Sequence, residues 1–245
     1  EIIGKHTAMP VLPVADHQSV EADHVYVIRP GRTLTIRDGF LHLGDRLEKR
    51  GHQRPVDDFF RSLAAEQRER AIAIIMSGMG SNGSAGAQQV KAVGGVVIAQ
   101  DPETAKFPSM PRNAIESGHA DFVLRADEMP EHLIRYGQHP YARGESLVRD
   151  PLPHDRMVVT EILSILRART RLDFNGYKKP TLLRRIQRRM GIHELTAMSE
   201  YARLLRQNTT EATALSDDVM IHVTGFFRDP EVWETLREKI IVPLV

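Results

Sequence analysis

Residues 71–86 read AIAIIMSGMGSNGSAG, and this stretch decides the fold of the first half of the chain. Its apolar start, residues 71–76, has no period-two alternation, which is typical of a strand buried on both faces of a mostly parallel sheet. A glycine-rich loop follows, and residues 85–93 then show a helical pattern. Glycine permits positive φ and close approach of the backbone, and a helix N-terminus offers free N–H groups. This strand-loop-helix unit therefore predicts a functional site.

The residues of the loop leave two interpretations open. Gly78, Gly80 and Gly83 form a GxGxxG pattern directly after a strand. A second apolar run ends at Asp101, about where a dinucleotide-binding fold places the carboxylate that binds the ribose. One hypothesis is therefore a dinucleotide-binding α/β enzyme.

The second interpretation uses more of the sequence. The segments SGMGSNG at 77–83, AQD at 99–101 and MPR at 110–112 resemble the C-terminal part of the catalytic domain of CheB-type chemotaxis receptor methylesterases. The strand VYVI at 25–28 and the helix entry RPVD at 54–57 are also similar to that family. The resemblance implies a protein-glutamate methylesterase, which is a carboxylic ester hydrolase.

The same resemblance implies roles for two residues of the loop. Asn82 takes the position of the Asp that completes the family's Ser-His-Asp triad, and the Met79 backbone N–H lies near the oxyanion. A neutral amide accepts a hydrogen bond from imidazole but cannot stabilise imidazolium by charge. A structural alternative for Asn82 is a left-handed turn position before Gly83. The family's Gly-Ser-x-Gly-Gly nucleophile loop does not occur in residues 1–74, so we expect the chain alone to be inactive.

The composition excludes several classes of protein. The 245 residues are 41% hydrophobic and 27% charged, with a formal net charge of +1, so no overall field attracts nucleic acid. The absence of cysteine fits a reducing cytoplasm, and no apolar stretch approaches the roughly 18 residues of a membrane span. His24, His42 and His52 lack metal-ligand spacing, so no metal site is expected. We expect a soluble, cytoplasmic protein.

Residues 1–139 are predicted to form the α/β domain. Asp38 and Gly39 lie between two apolar runs, which is a strong hairpin signal, and we expect this hairpin on an edge of the sheet. Pro55 begins a helix with Asp57 in its first turn. The predicted fold class is α/β: a partial doubly wound, mostly parallel sheet with an edge hairpin, followed by a small all-α domain.

The second half of the chain has a different pattern. Residues 140–154, which include three prolines, are predicted to be a linker, and residues 155–245 show only helical periodicity. Four arginines lie on one side of a basic helix in this domain and are called the arginine stripe here: Arg184, Arg185, Arg188 and Arg189. The arginine stripe is a candidate for binding an acidic surface. A solvated helix face and a nucleic-acid-binding module are the alternatives, although no aromatic residues are interleaved with these arginines.

This second half resembles the N-terminal helical domain of CheR-type chemotaxis receptor methyltransferases. The resemblance rests on FNGYK at 174–178, LLRRIQRRM at 182–190 and TGFFRDP at 224–230. It implies that the arginine stripe faces glutamate-rich receptor helices. It also implies that Thr224 and Arg228 approach the S-adenosylmethionine pocket of a following domain. We expect no cofactor in this chain and S-adenosylmethionine in the full-length parent.

The two resemblances together predict part of a fused, bifunctional chemotaxis protein, truncated at both ends. Such a protein would be a protein-glutamate methylesterase and an S-adenosylmethionine-dependent protein-glutamate O-methyltransferase. The expected partners are the methylated helices of a chemoreceptor, without membrane insertion or nucleic-acid binding. Loss of N-terminal strands would expose an edge of the sheet, so a homodimer through that edge is also expected.

Overall fold

The computed structural model describes residues 2–45, 54–145 and 153–220. The strands, in chain order, are β1 (Val11–Pro13), β2 (Gln18–Ser19), β3 (Val25–Val27), β4 (Arg32–Arg37), β5 (Phe40–Asp45), β6 (Ile72–Ile75), β7 (Val96–Gln100) and β8 (Phe122–Leu124). The helices are α1 (Pro55–Gln67), α2 (Ser84–Ala92), α3 (Ser109–Glu116), α4 (Met129–Gln138), α5 (Pro153–Thr170), α6 (Lys179–Ile192), α7 (Met198–Gln207) and α8 (Thr209–Met220). Five strands thus come first, helices and strands alternate from α1 to α4, and only helices follow.

The central parallel sheet has the order β6-β7-β8. One face of it packs on α1, α2 and α3 through Ala73, Ile75 and Val97, and the other packs on α4 through Val96 and Ile98. All five residues of β7 are buried, as expected for a strand covered on both faces. The doubly wound α/β fold class is therefore confirmed.

Strand β6 differs from its prediction of burial on both faces. Ala73 and Ile75 are buried, but Ile72 and Ile74 are only half-buried. Among the residues described, β6 pairs with β7 alone, so its α4-facing side receives cover from fewer neighbours than the central strand does. The apolar run predicted the strand itself but not its incomplete cover.

The predicted hairpin is present as β4 and β5. Arg37 pairs with Phe40, and the two residues between them, Asp38 and Gly39, both have positive φ (52° and 78°), as a tight two-residue turn requires. We expected the hairpin on an edge of the central sheet, but it does not lie there. It forms a separate antiparallel sheet of order β2-β5-β4, while β1 and β3 form a third, parallel pair.

Helix α1 explains why the hairpin forms its own sheet. Phe60 on α1 packs into the core of the central sheet, and Phe59 and Leu63 contact both that core and the hairpin side chains. Ser62 Oγ accepts a hydrogen bond from the Ile36 backbone N–H at 3.0 Å. The hairpin therefore packs against α1 and forms a sheet of its own.

The all-α domain consists of α5 to α8 around one apolar core. Its fully buried members repeat at helical spacing, and include Ile162, Leu166, Ile186, Leu205 and Leu215. A small, purely helical domain after the sheet is thus confirmed. No helix within residues 2–45, 54–145 and 153–220 has the length and apolar character needed to cross a bilayer.

The α/β domain continues past its predicted end at residue 139. Tyr141 is buried, and its hydroxyl donates a 3.0 Å hydrogen bond to the Gly94 carbonyl. Helix α5 begins at Pro153, inside the segment 140–154 that was predicted to be a linker. The first residues of that segment are therefore part of the folded α/β domain.

Candidate functional site

The loop formed by residues 77–83 follows β6 at the carboxyl end of the central strands. In open α/β sheets this edge is where ligands and catalytic groups are found. The Ser77 backbone N–H donates to Gln100 Oε1 at 2.8 Å, which ties the loop to the end of β7. The loop therefore occupies the position that its sequence predicted.

A second segment, just before α3, holds the loop from the other side. Gly78 N–H donates to the Phe107 carbonyl at 2.9 Å, and the Gly78 carbonyl accepts from Met110 N–H at 3.0 Å. A Cβ at Gly78 would lie 2.6 Å from Met110 Sδ, so a larger residue here would require the Met110 side chain to shift. The first glycine of the GxGxxG pattern thus serves packing within the chain.

Helices α1 and α2 cap each other at their N-termini. Asp57, in the first turn of α1, accepts hydrogen bonds on Oδ1 from Gly83 N–H (3.0 Å) and Gly86 N–H (2.7 Å) at the start of α2. In return, Asn82 Oδ1 accepts from the Asp57 backbone N–H at 3.2 Å. Each helix therefore satisfies N–H groups that the other leaves free at its first turn.

The Asp57 carboxylate also bears on the dinucleotide hypothesis. Its side chain is fully buried, and the Arg54 guanidinium lies 3.7 Å from its other oxygen. In a dinucleotide-binding fold the pyrophosphate occupies the N-terminus of the helix after the glycine-rich loop. Here a carboxylate of the chain itself occupies that position on α2, so the geometry argues against this hypothesis.

Asn82 is half-buried and does not have positive φ. The left-handed turn proposed for it is therefore wrong; the residue with that geometry is the next one, Gly83, with φ of 99°. The Asn82 amide oxygen is engaged with α1 through Asp57, as described above. This hydrogen bond fixes the orientation of the Asn82 side chain. Its amide nitrogen is then on the side of the group that does not face the Asp57 N–H.

Met79 lies at the tip of the loop with its side chain 75% exposed. In the part of the chain that the structure describes, no acceptor is bound to its backbone N–H. A free N–H next to the carboxyl end of β6 is the kind of donor that an oxyanion site uses. The geometry is therefore compatible with the predicted role of Met79.

The arginine stripe is not an exposed surface. Arg184 is exposed, whereas Arg185, Arg188 and Arg189 on α6 are buried. The prediction that all four residues present one accessible basic face is wrong for these three. Their burial also removes the continuous stripe that the nucleic-acid alternative needs.

Arg188 lies at the contact between the two domains. Its guanidinium donates 2.5 Å hydrogen bonds to Asp121 Oδ2, just before β8, and to Asp218 Oδ2 on α8. It also donates to the Gly95 carbonyl at 2.9 and 3.1 Å. Burial alone would lower the pKa of Arg188, but the two carboxylates outweigh it and raise that pKa above its usual value.

Lys91 completes this buried cluster of charges. Its Nζ lies 3.5 Å from Asp121 Oδ1 and 3.7 Å from Asp218 Oδ1. Two cations and two carboxylates, contributed by both domains, thus share one buried position. We call Lys91, Asp121, Arg188 and Asp218 the interdomain cluster.

Arg189 belongs to a second buried network, which lies within the all-α domain. Its guanidinium binds both carboxylate oxygens of Glu211. Glu211 also accepts a hydrogen bond from the Tyr201 hydroxyl at 2.7 Å and lies 2.6 Å from His193 Nε2. Burial alone would raise the pKa of Glu211, but the hydrogen bonds from His193 and Arg189 outweigh it and lower that pKa to about 2.

Thr224 and Arg228, the predicted cofactor-binding residues, lie outside the described residues. The sequence did not predict Asp121 and Asp218 as the carboxylates that bind Arg188. The pattern of α6 alone, with four arginines and no acidic residue in its first turn, is the signal that could have prompted a search for carboxylates elsewhere in the chain.

Comparison with known proteins assigns families to both parts of the chain. The model of the family described as CheB methylesterase matches residues 1–133. The model described as CheR methyltransferase, all-alpha domain, matches residues 159–220. The first match lies within the α/β domain and the second within the all-α domain.

Individual proteins are also similar to this chain. A Rhodobacter capsulatus protein, named only as an uncharacterized 104.1 kDa protein in hypE 3'region, is 37% identical over 264 residues, which cover 100% of this chain and 28% of that protein. The protein-glutamate methylesterase/protein-glutamine glutaminase of Thermotoga maritima is 38% identical over 143 residues, covering 53% of this chain and 41% of that protein. This chain therefore spans well under half of either relative.

A solved structure is also similar in sequence. The crystal structure of the Thermotoga maritima CheB methylesterase catalytic domain is 40% identical, covers 50% of this chain and 67% of that chain, and superposes with a TM-score of 0.45. The family model for the esterase covers more than half of the 245 residues. The chain therefore belongs to the CheB methylesterase family, with a CheR-type all-α domain following its esterase-like part.

Proposed function

We propose that this chain is part of a bifunctional, cytoplasmic protein that removes and adds methyl groups on glutamate side chains of chemoreceptors. The observation that carries the esterase part is the loop 77–83. It is held at the carboxyl end of β6 by the reciprocal caps of α1 and α2, and its tip presents the free Met79 N–H. This arrangement supports a role as one wall of an acyl-transfer site.

In the proposed reaction a serine hydroxyl attacks the carbonyl carbon of a glutamate methyl ester, and histidine takes its proton. The tetrahedral intermediate collapses to an acyl-enzyme and releases methanol, and water then hydrolyses the acyl-enzyme to the carboxylate. Met79 N–H donates to the oxyanion, and Asn82 orients the imidazole. The family's Gly-Ser-x-Gly-Gly nucleophile loop does not occur in residues 1–74, so in this proposal the chain alone is inactive.

Asn82 limits the rate in this proposal. An amide orients imidazole but supplies no negative charge for the imidazolium that forms during attack. In a serine protease the corresponding Asp-to-Asn change costs about 10⁴ in rate. Asn82 Oδ1 also accepts a hydrogen bond from the Asp57 N–H at the N-terminus of α1. Asn82 therefore holds the loop in place whether or not it takes part in catalysis.

For the all-α domain we propose recognition of the acidic, methylated helices of a receptor. Arg184 is the exposed member of the arginine stripe and thus the first candidate for this contact. In the full-length parent, Thr224 and Arg228 would contact S-adenosylmethionine. A homodimer through the free edge of β6 is a further part of this proposal.

The test is methanol release from a methylated receptor by the complete protein encoded with this sequence. Met79→Pro removes the backbone N–H, and we expect a 10²- to 10³-fold lower kcat. Met79→Ala keeps the N–H and serves as the matched control, with an expected rate near that of the wild type. An unchanged rate for Met79→Pro would refute the oxyanion role, and methanol release by the 245-residue chain alone would refute its proposed inactivity.

A further inference from the structure

A cavity of about 480 Å³ lies between the two domains, away from the loop 77–83. Its walls are the end of α1, the end of α2 and the first two turns of α6. Three arginines from these elements line it: Arg68, Arg184 and Arg185. Among the described residues no acidic side chain lines this cavity, so its charge is strongly positive.

Two of these arginines are free to bind a ligand. Arg68 and Arg184 are exposed, and neither guanidinium forms an ion pair within the described ranges. Arg68 follows α1 and Arg184 lies on α6, so they reach the cavity from different domains. A single anion between them would therefore contact both halves of the molecule.

Arg185 is a buried cation without a carboxylate partner. It is only 9% exposed, and its guanidinium donates to the carbonyls of Lys91 (3.3 Å) and Ala92 (2.6 Å) at the end of α2. In the described part of the chain no carboxylate oxygen lies within 4 Å of it. Burial lowers the pKa of Arg185, and the charge of Arg188 lowers it further.

The N-terminus of α6 adds to the positive potential. Its first turn carries no acidic residue and no side-chain cap, and Pro180 and Thr181 from that turn line the cavity. The positive end of a helix dipole favours an anion at this position. Buried Arg185, the two free arginines and this helix end therefore converge on the same space.

We propose that this cavity binds a small phosphate-bearing anion, which Arg68, Arg184 and Arg185 hold between the two domains. The forked guanidinium group matches phosphate oxygens in bidentate fashion. The volume lies in the range of small-molecule sites, and three guanidinium groups on one cavity suit a compact anion that carries several oxygens.

The test is calorimetric titration of the 245-residue chain with pyrophosphate at low ionic strength. We expect saturable binding that weakens at least tenfold in Arg68→Glu and in Arg184→Glu. The matched control is Arg203→Glu, an exposed arginine on α7 that does not line the cavity and makes the same change in charge. Circular dichroism checks that each variant is folded, and Arg68→Gln and Arg184→Gln replace any variant that is not.

Three results would overturn the proposal. One is the absence of saturable binding by the wild-type chain. Another is an equal loss of affinity in all three glutamate variants, because it would indicate attraction by overall charge alone. The third is displacement of pyrophosphate by a glutamate-rich helical peptide at lower concentration than by inorganic phosphate, since the cavity would then be a site for an acidic protein segment. None of these results depends on esterase or methyltransferase activity.

Discussion

The carboxylate of Asp57 is the only side chain among those described that accepts hydrogen bonds from the first turn of α2, at Gly83 and Gly86. Replacement of Asp57 by Ala would leave both N–H groups buried without an acceptor. Hydrogen bonds to a charged group contribute about 1.5–3 kcal/mol each, and the two share one oxygen. We expect Asp57→Ala to lower the free energy of unfolding by about 2–4 kcal/mol, measured by urea denaturation.

Asp58 provides the matched control for Asp57. It lies in the same turn of α1, but it is exposed and forms a surface ion pair with Arg61 at 3.0 Å. Asp58→Ala should change the free energy of unfolding by no more than about 0.5 kcal/mol. Equal losses in the two variants would contradict the capping role of Asp57, because they would point to a general effect of charge at the N-terminus of α1.

Glu211 makes the stability of the all-α domain depend on pH. Its pKa is about 2 in the folded chain and 4.5 in the reference state, so folding favours the ionised form. A depressed carboxyl pKa stabilises the protein above the unfolded pKa, and this contribution is lost as pH falls through 4.5 toward 2. Between pH 7 and pH 3 we expect Glu211 to account for a loss of about 2 kcal/mol in the free energy of unfolding.

Urea denaturation of Glu211→Gln at both pH values tests this contribution. The variant should be less stable at pH 7, and its loss between pH 7 and pH 3 should be smaller by about 2 kcal/mol. Some pH dependence should remain, because the charges of Arg188 and Lys91 outweigh burial and hold the pKa of Asp121 below its usual value. An identical pH dependence in variant and wild type would show that Glu211 is not the group responsible.

For individual residues, the sequence predicted which helix and which side of it a residue lies on better than it predicted which groups that residue binds. Asp57 was expected to favour the N-terminus of its own helix, yet its carboxylate binds the first turn of α2, 26 and 29 residues further along the chain. Helical periodicity identified the arginine stripe correctly as one side of α6. It could not show that the carboxylates binding Arg188 lie 30 and 67 residues away, because charge patterning carries no information about tertiary partners.

Among the secondary-structure elements, the contact between α1 and α2 depends on Gly86. A Cβ there would lie 2.6 Å from Phe60 Cβ and 2.9 Å from the Asp57 Cα and carbonyl oxygen, all in α1. Two of these atoms belong to the backbone, so α1 itself would have to move. We expect Gly86→Ala to lower the thermal midpoint and the free energy of unfolding by about 1–3 kcal/mol, despite the higher helix propensity of Ala.

Gly137 in α4 is the matched control for this helix contact. A Cβ at Gly137 meets no atom within 4 Å. Without a clash, only the higher helix propensity of Ala remains, so Gly137→Ala should raise the free energy of unfolding by about 0.5–1 kcal/mol. Changes of the same sign in both variants would contradict the close-packing argument.

The elements also show what local sequence signals can and cannot specify. The Asp38-Gly39 turn fixes the register of β4 and β5, because few residue pairs adopt positive φ at both central positions. The sheet to which the hairpin belongs depends instead on the apolar face of α1, where Phe59 and Leu63 contact both the hairpin and the core of the central sheet. That face is visible in the sequence, but its partner is not.

For the whole molecule, the sequence predicted two domains of the correct classes but not their contact. The domains are joined at the end of the sheet opposite the loop 77–83, through Gly95 before β7 and Asp121 before β8. The loop at the carboxyl end of β6 is therefore left uncovered by this contact. A basic helix such as α6 looks the same in sequence whether its partner is a receptor, solvent or the neighbouring domain.

The interdomain cluster predicts that the two domains lose stability together. Arg188→Ala would leave Asp121 and Asp218 buried with Lys91 as their remaining cation in the cluster, and breaking a buried ion pair typically costs about 3–5 kcal/mol. Because one carboxylate belongs to each domain, we expect faster amide hydrogen exchange in β7 as well as in α8. Mass spectrometry of peptides from these two elements measures both effects.

Arg184→Ala on the same helix is the control for this coupling, because Arg184 is exposed and makes no contact with the interdomain cluster. Amide hydrogen exchange in β7 and α8 of this variant should match that of the wild type. The free energy of unfolding of the variant should change by no more than about 0.5 kcal/mol. If Arg188→Ala accelerates exchange only in residues 153–220, the domains unfold independently. The buried charges would then stabilise the all-α domain alone, and the contact between the domains would rest on apolar packing of Ile192 against Tyr136 and Tyr141.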